Sequence, residues 1–280
     1  MPDPASASST RRRYGPNALA ERPFQPMGHL KSISGALAAT GALLPPAYAA
    51  RLLEGRSAYT MPRLWHRAVR RALGVNSVLL GKPASGSVLY VVNHLSWLDI
   101  PVIGSHLKGS FVAKSEVGDM GVVGFLADMQ DTIYVDRERR SRSAAQANAI
   151  LARLVAGDNV ILFPEGTSND GVRILPFKSA LFSAIEGPGS DAIRIQPVTI
   201  AYTRLNGLPL TRHRLIEIAW IGDMALGSHA LDFMRLGRIE ARLMCHDPVS
   251  RADFRDRKAL ARHCQSVIST GYKSMTRDQA

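Results

Sequence analysis

A run of strand-forming residues, Val88-Leu89-Tyr90-Val91-Val92, leads straight into Asn93-His94-Leu95-Ser96-Trp97-Leu98-Asp99. Consecutive apolar positions demand burial on both faces, which a strand inside an α/β sheet supplies. The run predicts that His94 sits at the strand's carboxyl end, where open α/β sheets carry their chemistry. At neutral pH a histidine accepts a proton from a hydroxyl. A carboxylate on the other ring nitrogen fixes the tautomer and stabilises the imidazolium that forms. Five positions turn through about 500° of an ideal helix, so His94 and Asp99 share no face if the whole stretch is helical. They meet only if His94 lies in the strand-exit loop and Asp99 in the first turn of the next helix. Asn93 and Ser96 would then brace the turn through hydrogen bonds to the backbone.

Beyond Gly74 short apolar runs alternate with helical stretches. The spacing predicts strands over 77–80, 88–92, 110–113, 132–135, 160–163, 193–202, 215–220 and 238–244. Helices are expected over 101–106, 122–129, 141–155, 177–186 and 252–272, the last capped by Ser250 with Asp253 three positions on. This alternation indicates the α/β class, with a mixed, largely parallel central sheet flanked by helices. The 280 residues divide into a flexible basic arm (1–25), a membrane-associated helical segment (26–75) and one catalytic-sized domain (76–280).

Three further strands end in polar or cationic residues. Ile161-Leu162-Phe163 is followed by Pro164-Glu165-Gly166-Thr167-Ser168-Asn169, where proline fixes φ and glycine permits close backbone approach. Glu165 is placed to bind a substrate hydroxyl or a cationic group, and Thr167 and Ser168 offer hydroxyls and N–H groups suited to an anion. Tyr134-Val135-Asp136-Arg137 and Phe111-Val112-Ala113-Lys114 bring Arg137 and Lys114 to strand ends, where a guanidinium holds phosphate through paired hydrogen bonds. Arg173 and Lys178 are further cationic candidates, whereas Arg139, Arg140 and Arg142 read as surface charge. A proline inside Ile195-Gln196-Pro197-Val198 suggests an edge strand or a bulge beside a pocket.

The charge of +12 implies an anionic partner. Ser32 to Ala50 carries no formal charge and has the length of a bilayer span, but it is mostly Ala, Gly, Ser and Thr with Pro45-Pro46 near its end. Small residues contribute little transfer energy, so a shallow, re-entrant or interfacial segment is favoured over a true span. The long basic arm ahead of it argues against a cleaved signal peptide. Residues 51–73 mix Leu52, Leu53, Leu64, Trp65 and Val69 with Arg51, Arg56, Arg63, Arg67, Arg70 and Arg71, a composition shared by interfacial and ordinary surface helices.

Other chemistries lack their residues. No Gly-x-Ser-x-Gly elbow, Walker loop or dinucleotide glycine fingerprint occurs. The histidines do not cluster at metal-ligand spacings, so no metal or cofactor is expected, and His229, His246 and His263 read as surface or packing residues. Cys245 and Cys264 read as small buried hydrophobes. Scattered aromatics make no base-stacking platform, and nucleic acid is not an expected partner.

Taken together and in order, these blocks resemble the glycerolipid acyltransferases of the lysophosphatidic-acid acyltransferase family, over roughly residues 75–225. The family's His-x4-Asp signature stands as His94 and Asp99, its second block as Tyr134 to Arg137, its Phe-Pro-Glu-Gly-Thr block as Phe163 to Thr167, and its proline-containing fourth as Ile195 to Val198. The resemblance implies transfer of an acyl group from acyl carrier protein or CoA thioester to the free hydroxyl of 1-acyl-sn-glycerol-3-phosphate, giving phosphatidic acid. In that reading His94 is the general base, Asp99 its orienter, and Lys114, Arg137, Glu165, Gly166, Thr167 and Arg173 bind substrate. The expected site of action is the cytoplasmic face of the inner membrane, against an anionic lipid surface. One departure matters: the third block is commonly followed by Arg, and here Ser168 follows Thr167. O-acylation of lyso-ornithine lipid, an acceptor without phosphate, is therefore the alternative within enzymes. An inactive membrane-binding or lipid-transfer protein is the alternative of another class.

Overall fold

The computed structural model of the protein describes residues 26–54, 60–135, 143–221 and 224–277. The basic arm, Arg137 and the arginines at 139, 140 and 142 lie outside the described residues. The chain opens with two helices, α1 (Pro26–Glu54) and α2 (Thr60–Ala72). Then follow β1 (Val75–Leu80), β2 (Val88–Val92), α3 (Asp99–His106), β3 (Ser110–Lys114), α4 (Val122–Asp128), β4 (Ile133–Val135), α5 (Ser143–Val155) and β5 (Val160–Leu162). After a 3-10 stretch at Ser179–Ile185 come β6 (Arg194–Leu205), β7 (Leu208–Pro209), α6 (Arg212–Leu215), α7 (Leu226–Phe233), β8 (Ile239–Cys245), β9 (Val249–Ser250) and α8 (Arg257–Arg277).

Among the described residues the strands form one nine-stranded sheet in the order β1-β8-β6-β2-β5-β3-β4, with β7 and β9 also on β6. β2 pairs in parallel with β5 and β6, and β3 with β4 and β5, while β6 and β8 are antiparallel. The sheet is thus mixed and largely parallel, as its sequence pattern predicts. β2 lies inside it with all five residues buried. Val88, Tyr90 and Val92 face one core, shared with α2 and α3, while Leu89 and Val91 face the other, shared with α5 and α8. Pairing continues one residue past the strand through a side chain: Asn93 Nδ2 donates to the Ile200 carbonyl and Ile200 N–H donates to Asn93 Oδ1, both at 2.9 Å.

Three sequence expectations are corrected. Residues 215–220 are not a strand: Leu215, Ile218 and Ala219 are the buried positions, an i, i+3, i+4 spacing, and Ile218 and Ala219 N–H groups both donate back to Leu215 O. β6 is not an edge strand despite Pro197. It lies between β2 and β8, and the missing N–H falls where its other neighbour changes from β9 at Ile195 to β8 at Val198. The final helix begins at Arg257, because Ser250 and Asp253 cap a separate 3-10 turn at Arg251–Asp253. In addition α1 runs unbroken through Pro45 and Pro46. Cys245 and Cys264 are free and buried.

α2 is fastened to the domain by His66, whose buried ring lies against Gly104 of α3 and donates from Nε2 to Gln130 Oε1 at 2.7 Å. Burial lowers its pKa to about 4, so it packs as a neutral ring. A Cβ on Gly104 would stand 2.3 Å from the His66 ring. Gly104→Ala is therefore expected to cost about 1–3 kcal/mol, seen as a lower urea midpoint at unchanged slope. An unaltered midpoint would remove this contact as a reason for the glycine.

Candidate active site

His94 and Asp99 meet as the strand-exit geometry requires. β2 ends at Val92, α3 starts at Asp99, and His94 Nδ1 lies 2.8 Å from Asp99 Oδ2. The same oxygen accepts the backbone N–H of Leu95 (2.7 Å) and of Ser96 (3.0 Å), so the carboxylate folds the intervening loop around itself. Asp99 Oδ1 accepts the Tyr202 hydroxyl of β6 at 2.7 Å. Asp99 has no exposed surface and Tyr202 is 1% exposed, so water does not compete for these bonds. An ionised carboxylate can only accept, so the His94 Nδ1 in contact with it is the protonated ring nitrogen. Nε2 is then the acceptor, on a side chain 17% exposed. Phe163 fixes the ring plane from one side, stacked at 4.1 Å and 19°.

The second turn sits beside the first because β5 is parallel to β2. It is not the open hydroxyl-binding surface that its sequence suggested. Glu165 is 2% exposed and turned inward: Oε1 accepts the His94 N–H at 2.8 Å, and Oε2 accepts Asn169 Nδ2 (2.6 Å) and the Leu175 N–H (2.8 Å). The turn that aims it needs Gly166, whose φ is +75° and whose missing Cβ leaves room for the Lys178 amine. Asn169 closes the junction by donating from both its backbone N–H (3.2 Å) and Nδ2 (3.0 Å) to His94 O. The Ser168 hydroxyl, expected to face an anion, donates instead to the Trp220 carbonyl. Ser96 braces its turn with its N–H, while its buried hydroxyl has no partner among the described residues.

Three further expected substrate contacts lie at the surface. Thr167, Lys114 and Arg173 are exposed, Lys114 at the end of β3 and Arg173 in the loop beyond the Glu165 turn. Arg137 lies outside the described residues. Tyr202 and Asn169 were not identified from sequence as site residues. Their partners are 103 and 75 positions away, and only an argument that every oxygen of a buried carboxylate needs a donor points to such residues.

Burial is the largest influence on Glu165 and pushes its carboxyl up from 4.5 to about 7, against the donors at His94, Leu175 and Asn169 that favour the ionised form. With the folded pKa above the unfolded one, the folded chain holds the extra proton between the two values. The contribution of this group to stability therefore falls as pH rises from 4.5 through about 7. Glu165→Gln is expected to flatten the unfolding free energy against pH in that window, measured by urea denaturation at successive pH values. An unchanged slope would contradict the assignment.

Comparisons with known proteins bear on what such a site does. The family model described as Acyltransferase matches residues 79–201. A lyso-ornithine lipid O-acyltransferase of Brucella abortus is 39% identical over 84% of this chain and 90% of its own length. One from Rhizobium meliloti is 36% identical over 72% and 71%. A 1-acyl-sn-glycerol-3-phosphate acyltransferase of Neisseria meningitidis is 33% identical over 46% of this chain and 51% of its own length. The crystal structure of the 1-acyl-sn-glycerophosphate acyltransferase PlsC from Thermotoga maritima shares the fold, with a TM-score of 0.65 at 20% identity over 89% of this chain and 94% of that one. A His-x4-Asp turn at the carboxyl edge of such a sheet, in a chain matched over nine-tenths of a relative's length, places this protein in the acyltransferase family as an O-acyltransferase.

Proposed function

We propose that this enzyme transfers a fatty acyl group from a thioester donor, acyl carrier protein or CoA, to the free hydroxyl of lyso-ornithine lipid, with His94 as general base. The observation that carries the chemistry is the 2.8 Å contact between His94 Nδ1 and a fully buried Asp99. Held in this tautomer, Nε2 takes the hydroxyl proton as the acceptor oxygen attacks the thioester carbonyl. The imidazolium is stabilised by the Asp99 charge. The carbon–sulfur bond then breaks and His94 returns the proton to the leaving thiolate, so proton and acyl group both balance. Glu165 and Asn169 act on this step through the His94 backbone, which they grip at N–H and carbonyl.

Two observations support lyso-ornithine lipid over lysophosphatidic acid. In sequence, the lyso-ornithine relatives of Brucella abortus and Rhizobium meliloti match 84% and 72% of this chain, whereas the glycerol-3-phosphate relative of Neisseria meningitidis matches 46% of it. In addition, the position after Thr167 holds a serine committed to a backbone carbonyl rather than a guanidinium for phosphate.

Action at the cytoplasmic face of the inner membrane is part of the same reading. No helix among the described residues is long and apolar enough to cross a membrane. α1 nevertheless exposes Leu37 and Tyr48 on a stretch without formal charge from Ser32 to Ala50. It packs on α2, where Trp65 donates to Thr40 at 3.0 Å and where Arg63 and Arg67 both donate to the Ser105 carbonyl. A helical pair seated on lipid lets acceptor and product avoid exposing chain methylenes to water, at about 0.8 kcal/mol each.

His94→Ala is expected to lower kcat at least about 100-fold in a folded protein, and normal turnover would reject the general base. Tyr202→Phe removes one donor from Asp99 and is expected to lower kcat about tenfold with KM unchanged, since a hydrogen bond to a buried charge is worth about 1.5–3 kcal/mol; equal kcat would remove Tyr202 from the account. Offered both acceptors with each donor, the enzyme should acylate lyso-ornithine lipid with the higher kcat/KM. Preference for lysophosphatidic acid would reverse the substrate assignment.

A further inference from the structure

The catalytic turn is held on its far side by a group outside the acyl-transfer machinery described above. Trp97, between His94 and Asp99, donates from its indole Nε1 to His229 Nδ1 of α7 at 3.0 Å. His229 Nε2 reaches the Ala219 carbonyl at 2.9 Å, and the next residue, Trp220, donates its N–H to Leu95 O at 3.1 Å. The bonds make a closed circuit: Trp97 to His229, His229 to Ala219, along the chain to Trp220, and from Trp220 back to Leu95 in the same turn. The Trp97 ring also meets Phe233 edge-on at 5.6 Å. His229 is 6% exposed. An indole donates only and a carbonyl accepts only, so the imidazole must accept at Nδ1 and donate at Nε2. Burial, the largest influence, lowers the His229 pKa, against opposing effects of the Ala219 carbonyl and Asp232, and keeps the ring in the neutral form that this circuit requires.

From this we infer that His229 is a positioning residue for the reaction: it fixes Trp97 and, with Trp220, the backbone of the turn that aims the His94 imidazole. The inference rests on the reading of His94 as the general base. Asp99 and Glu165 define the turn from within and from the β5 side, and Ala219, Trp220, His229 and Phe233 define it from the third side. Displacement of about 1 Å at a reacting group costs on the order of 100-fold in rate, so loosening one of three supports should appear in turnover before it appears in binding.

The test uses the full chain, with lyso-ornithine lipid and acyl thioester as substrates. In His229→Ala, kcat is expected to fall about tenfold or more with KM for both substrates unchanged. His229→Gln, whose amide offers one acceptor and one donor, is expected to recover most of that loss. Trp97→Phe keeps the ring against Phe233 and removes the donor, and should match His229→Ala. Because both changes open the same circuit, the double variant should lose no more than either single one. Wild-type kcat in a folded His229→Ala, losses that multiply, or no recovery by glutamine would each overturn the inference. If His229→Ala does not fold, Trp97→Phe alone decides: unchanged kcat overturns it. His94→Ala run in parallel separates the two claims. Normal turnover there defeats the general-base reading itself, whereas an inactive His94→Ala beside a fully active His229→Ala defeats only the positioning role.

Discussion

Everything at the catalytic edge depends on one buried carboxylate having all its donors. Asp99 receives the His94 ring, two backbone N–H groups and the Tyr202 hydroxyl, with no solvent contact. An ionised group taken from water is costly unless such bonds replace its hydration. The loop from His94 to Leu98 therefore cannot relax independently of β6: any other path would strand a charge. A single requirement sets the loop's shape, the ring's tautomer and the distance between the His94 ring and Asp99.

The neighbouring elements extend that constraint rather than adding separate binding groups. Glu165 is the clearest case. A carboxylate beside a catalytic histidine invites a role at the substrate, yet both oxygens are spent on the protein, joining the β5 turn to the His94 backbone and to Leu175. Asn169 takes the His94 carbonyl, so the residue proposed as general base is gripped through its own peptide groups at both ends. The site's geometry then comes from backbone held rigid by buried hydrogen bonds, around a ring whose side chain is 17% exposed.

How much of this could be read in the sequence follows from whether the controlling physics is local. β2 was legible residue for residue because burial on both faces leaves an uninterrupted apolar run, and the polar cluster after it marks the exit from the sheet. His94 and Asp99 were legible for the same reason: their meeting depends on a loop and one helical turn. Residues 215–220 misled because six residues with several apolar ones fit either period, and Thr211, whose carbonyl starts the helical turn, lies outside the run. Pro197 misled because its tolerance depends on where β9 gives way to β8, a tertiary fact. Tyr202 and His229 were invisible as site residues, since they reach the catalytic turn across 103 and 132 positions. The inward turn of Glu165 could not be told from an outward one by residue type alone.

The most direct test of the central claim is the protonation state of the His94 ring, read by nitrogen-15 NMR of the labelled full chain and assigned by the signals lost in His94→Ala. With the imidazole neutral, the proton is expected on Nδ1, facing Asp99, with Nε2 bare. A neutral ring protonated at Nε2 with Nδ1 bare would contradict it, because Asp99 would then not hold the base in the form that accepts a hydroxyl proton.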